Sequence, residues 1–120
     1  MTAPKIFRIL FWLLLGVILV LALMPAESAP SVSNDDKINH ILAFFTLSFM
    51  ARLLWPQARL PLLFLLLTLL GGAIELLQLT MGFGRDADWM DFVADIVAIL
   101  LGILAGKLVW SMKGKRSATE

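Results

Sequence analysis

The sequence predicts an all-α fold, a four-transmembrane-helix antiparallel bundle with both termini in the cytoplasm, and three observations predict it. Of the 120 residues, 60% are hydrophobic and only 16% charged. Proline, glycine and charge clusters interrupt the apolar sequence at intervals suited to four spans of about twenty residues. The basic residues are divided unevenly between the connections. A water-soluble domain with a mean hydropathy of +0.90 would have no polar coat to cover it. The length accommodates one membrane domain over residues 1–120 and no separate catalytic domain. Cysteine is absent, which excludes disulfides, iron–sulfur clusters and thiolate zinc sites.

The first helix is expected at about 6–25. Its run from Ile9 to Ala26 holds no charge, follows Lys5 and Arg8, and is closed by Pro25 and a Ser/Ala/Pro/Asn stretch ending at Asn34. A cleaved signal peptide, cut near Ala26-Glu27-Ser28, would share these features, but the apolar run exceeds the ~7–15 residues of a usual signal core. The second helix, 38–55, lies between Lys37 and Pro56, with Arg52 placed to snorkel toward the headgroups. The third, 60–80, is nearly all Leu apart from Gly71, Gly72, Glu75 and Gln78, and Gly82-Phe83-Gly84 ends it. The fourth, 91–112, contains Asp95 and leads into a basic tail, 113–120, expected to be flexible.

Short connections imply that consecutive helices alternate in direction. Lys5, Arg8, Arg52, Arg59, Lys107, Lys113, Lys115 and Arg116 then fall on one side and only Lys37 and Arg85 on the other. The positive-inside bias makes the first side cytoplasmic. The loops around Asp35–Lys37 and Arg85–Asp91 would face outward, and Trp12, Trp55, Trp89 and Trp110 would sit at the interfaces.

Ionisable residues inside these spans are the informative ones. With the third helix entering near Leu60, Glu75 lies ~22 Å along a core ~30 Å thick, with Gln78 one turn above. Asp95 falls ~6 Å below Asp91, and His40 ~4–5 Å below Lys37, so three helices present polar groups at similar depth. Asp88, Asp91 and Asp95 stand at i, i+3 and i+7, and their stripe continues through Ala98, Gly102 and Gly106, small residues that permit close helix contact. A buried network follows. Either it holds short helices together by hydrogen bonds, or it marks a site, the default for ionisable groups in a membrane.

The outer loops carry Glu27, Asp35, Asp36, Asp86, Asp88 and Asp91 against Lys37 and Arg85. Such a mouth attracts cations, and a phosphate would need Arg85 or Lys37 to receive it. His40 beside a carboxylate suits general-base work, with Asp91, Asp95 and Glu75 as further acid–base candidates and Arg85 as electrostatic partner. No nucleophile elbow, phosphate loop or zinc-spaced His pair occurs. A single histidine is a weak metal signal, so neither a metal nor another cofactor is assigned.

The order Asp36-Lys37-x-x-His40-x-x-x-Phe44, then Glu75-x-x-Gln78, then Arg85-x-x-Asp88-x-x-Asp91 resembles the VanZ-like family of bacterial membrane proteins over roughly residues 35 to 106. Many members have Asn at the position of Asp95 and Gly at that of Ala98. The resemblance implies a protein of the bacterial inner membrane and cell envelope, related to a family associated with teicoplanin resistance. Its motif positions carry over to Lys37, His40, Glu75, Gln78, Arg85, Asp88, Asp91 and Asp95 as binding residues. The expected partners are membrane lipids, a lipid-linked cell-wall intermediate or a lipoglycopeptide, with an oligomer or larger membrane complex possible and no nucleic acid. A membrane-embedded enzyme acting on a lipid head group and a proton- or cation-linked transport accessory are the alternatives.

Overall fold

A computed structural model describes residues 4–24, 36–81 and 89–119, and these form four helices and no strand. They are α1 (Lys5–Leu23), α2 (Asp36–Leu54), α3 (Leu60–Met81) and α4 (Trp89–Thr119). Each lies within a few residues of its expected position, because proline and charge punctuate the leucine-rich runs. Pro4 precedes α1, and its carbonyl accepts the Phe7 amide at 3.1 Å. Pro56 disfavours helical geometry at Trp55, so α2 stops one residue earlier. Pro61 occupies the first turn of α3, where its missing N–H would have had no partner.

Two boundaries differ from the sequence reading. α4 has 31 residues and continues to Thr119, through the segment expected as a flexible tail. Lysine and arginine, which make up much of this segment, are good helix formers. α2 is the other. Three helical stretches, Lys5–Leu23, Leu60–Thr80 and Trp89–Lys113, are long and apolar enough to cross a membrane, whereas the apolar part of α2, Ile38–Leu54, is shorter.

Burial is inverted relative to a water-soluble protein. Leu65, Leu69, Leu76 and Leu79 of α3, Leu101, Leu104 and Leu108 of α4, and Leu13, Val17 and Val20 of α1 are more than half exposed. His40, Ser48, Arg52, Gln78, Asp91 and Asp95 are buried. Such an exterior suits hydrocarbon, and polar groups are driven inward to find partners.

The most extensive packing is between α2 and α4, and among the described residues α1 meets α2 and α3 but not α4. Small residues create the α2–α4 contact. A Cβ added at Gly102 would come within 2.6 Å of the Phe45 carbonyl oxygen, and one at Gly106 within 2.8 Å of the Arg52 Cβ. With Asp95 against His40, Gly102 against Ser48 and Gly106 against Arg52, residue numbers rise together on both helices, so they run in the same direction along this seam.

At the end of α2 away from His40, two arginines donate to backbone carbonyls, one at the helix end and one in the following turn. Arg8 Nη2 donates to the Leu54 carbonyl at 3.2 Å, and its guanidinium lies 5.4 Å from the centre of the Trp55 ring. Arg52 Nη1 donates to the Pro56 carbonyl at 3.1 Å. Arg52 was expected to snorkel; it is buried with its stem against Gly106 and its guanidinium on a carbonyl in the turn after α2. Trp55 likewise packs edge-on against Phe11 and Trp12.

Candidate functional site

α2, α3 and α4 each contribute one ionisable side chain to a single cluster. His40 is in the second turn of α2, Glu75 in the upper half of α3, and Asp95 in the second turn of α4. His40 Nδ1 and Asp95 Oδ1 lie 2.9 Å apart, joined by a hydrogen bond. The other ring nitrogen, Nε2, faces Glu75 Oε1 at 3.9 Å. One donor atom from each of the three residues falls within 4.8 Å of the others.

The cluster is largely buried. Asp95 is fully buried, His40 is 8% exposed and Glu75 12%. Phe44, one turn along α2, lies beside the His40 ring with centroids 6.4 Å apart and planes 26° from parallel. Gly71, one turn before Glu75 on α3, lies against the second carboxylate oxygen of Asp95, and a Cβ there would be 2.9 Å from Asp95 Oδ2. Position 71 must therefore lack a side chain for α3 to approach Asp95 this closely.

Sequence reasoning grouped eight residues here, and among the described residues the structure brings His40, Glu75 and Asp95 together. Asp91 is 2% exposed and one turn before Asp95 on the same stripe of α4, as the i, i+4 spacing requires. Gln78 points elsewhere. Its Nε2 donates to the Ala22 carbonyl at 2.8 Å, satisfying one of the orphan acceptors at the C-terminal end of α1. The i, i+3 offset between Glu75 and Gln78 is enough to send one side chain toward α2 and the other toward α1. Lys37 is in the first turn of α2, with only its backbone described, and Arg85 and Asp88 lie outside the described residues.

Gly71 is the residue that sequence reasoning noticed without assigning. Its signal was available, four positions before Glu75 and so on the same helix face. The hydroxyls near the cluster are committed to their own helices. Ser48 Oγ donates to the Phe45 carbonyl at 3.1 Å, Thr46 Oγ1 to Leu42 at 2.7 Å, and Thr80 Oγ1 to Leu76 at 3.1 Å. Such back-bonding is how a hydroxyl is satisfied in hydrocarbon, and it leaves none of these three aimed at His40.

An imidazole held by one carboxylate and facing another can orient a proton, accept one from a bound group, or ligate a cation. The only histidine in the chain is the one in this cluster. No family model matches the chain, and neither does any curated protein or solved structure.

Proposed function

We propose that the chain is a multi-pass protein of the bacterial cytoplasmic membrane. In this reading its four helices cross in alternate directions with both termini in the cytoplasm. The cluster of His40, Glu75 and Asp95 lines an outer-leaflet pocket for the polar head of an envelope lipid, a lipid-linked intermediate or an amphiphilic antibiotic. One observation carries the reading: three ionisable side chains from three helices are buried together inside an exterior of Leu, Ile and Val. Taking such groups out of water costs several kcal/mol per ion even after relaxation. Helix association alone is served by neutral residues at lower cost.

Topology rests on the eight basic residues against two across the connections. At 19 residues, α2 is ~28 Å long, close to the ~30 Å of a hydrocarbon core. Its charged ends are tolerable because Arg52 is capped within the protein and Lys37 stands in the first turn. Membership of the VanZ-like family, and the envelope role that goes with it, is supported by the order of the three sequence motifs.

A second reading, an enzyme acting on a lipid head group, is favoured by the way Asp95 holds His40 Nδ1 while Nε2 faces Glu75. A carboxylate orienting an imidazole is a general acid–base arrangement. Transport by a single chain has less support. Beyond Asp95 the stripe passes through Ala98 to Gly102, which is closed against Ser48 and Phe45.

The experiment is mass spectrometry of lipids co-purified with the wild-type protein and with His40→Ala, Glu75→Gln and Asp95→Asn, each checked for folded yield. A lipid class retained by the wild type and lost from all three supports the pocket. Equal retention by folded variants leaves the cluster a scaffold. Altered lipid products in cells overexpressing the wild type would favour the enzyme.

A further inference from the structure

We propose that His40, Glu75 and Asp95 together bind a divalent first-row transition-metal ion, with Zn2+ and Mn2+ the best matched, at the floor of the pocket. Such an ion rests on the pocket proposed above and deepens that reading, because it lets an acidic site accept an anionic head group.

The donor set is chemically apt. One imidazole nitrogen and two carboxylate oxygens suit zinc, iron and manganese, whereas calcium and magnesium prefer all-oxygen shells. With no cysteine in the chain, no soft thiolate competes for a different ion. Donor atoms bound at ~2.1 Å to one ion stand about 3–3.5 Å from one another. One donor atom from each of the three residues lies within 4.8 Å of the others, little more than 1 Å beyond that range. Glu75 Oε1 stands 3.9 Å from His40 Nε2, on a flexible side chain that can close the gap to an ion on that nitrogen.

The architecture is suited to holding a metal as well. The ligands come from α2, α3 and α4, with Gly71 clearing space for Asp95. Three protein donors leave open positions on an ion, and an open position is what a phosphate oxygen of a head group requires.

The test uses the full chain purified in detergent, stripped with a chelator and then exposed to Zn2+ or Co2+. The expected result is one ion per chain by elemental analysis, with Co2+ giving visible absorption bands characteristic of nitrogen and oxygen ligands. His40→Ala, Glu75→Gln and Asp95→Asn should each weaken binding at least ~10-fold. Absence of a stoichiometric ion in the wild type overturns the proposal without reference to any variant. So does unchanged affinity in folded His40→Ala. Because no lipid is added, failure here is distinct from failure of lipid retention: a chain that keeps its lipid but binds no ion retains the pocket and loses the metal.

Discussion

His40 and Asp95, 55 positions apart in the chain, meet at 2.9 Å across the α2–α4 seam, one 8% exposed and the other fully buried. This bond joins the two helices with the most extensive mutual contact, at the same level as the approach of Glu75 from α3. It is both a packing constraint and the core of the candidate site, and the two roles separate by substitution. Asp95→Asn preserves shape and should cost about 1–3 kcal/mol, whereas Asp95→Ala should cost about 3–5 kcal/mol. Thermal unfolding in detergent measures both, and a double-mutant cycle with His40→Leu should show a coupling of about 1 kcal/mol or more.

Gly102 should tolerate no side chain. A Cβ there collides with Ser48 and the Phe45 carbonyl, so Gly102→Val should force α2 and α4 apart at a cost of roughly 1–3 kcal/mol or more. At Gly16 an added Cβ would meet nothing within 4 Å, and Gly16→Ala should be neutral or stabilising by up to about 1 kcal/mol through helix propensity. Folded yield of the two variants, measured side by side, checks the contrast.

Gln78→Leu should loosen the end of α1 while leaving His40 and Asp95 in place. The lost bond to the Ala22 carbonyl is worth about 0.6–2 kcal/mol. Hydrogen exchange should rise in the last turn of α1 and remain unchanged around residue 95. Equal protection at both places in wild type and variant would remove Gln78 from the role of clasp.

The absence of native cysteine allows single-cysteine labelling without background. In intact cells a membrane-impermeant thiol reagent should modify a cysteine replacing Arg85 and spare one replacing Arg59 until the membrane is permeabilised. The opposite pattern would invert the proposed topology and with it the placement of the pocket in the outer leaflet.

The helices were legible because the signals that bound them are local. Pro4, Pro56 and Pro61 and the charges around them bracket runs too apolar for water, and the structure places every helix within a few residues of those brackets, the long extension of α4 excepted. The inward turn of Asp91 and Asp95 was legible as well, since their stripe continues through Ala98, Gly102 and Gly106, all buried. Arg52 and Gln78 were less readable. Each has two chemically acceptable destinations, the interface or a carbonyl in the turn after α2 for Arg52, the cluster or α1 for Gln78, and spacing along one helix does not choose between them.

From the sequence alone, composition and periodicity determined which segments are helical and which side of each helix must be sheltered from hydrocarbon. Which helix occupies the sheltered side was decided only by tertiary packing. α2 packs most closely on α4, two helices later, because Gly102 and Gly106 let those backbones approach, and lengthening a loop adds closure entropy only logarithmically. That choice of partner sets Asp95 against His40, and no one-dimensional pattern encodes it.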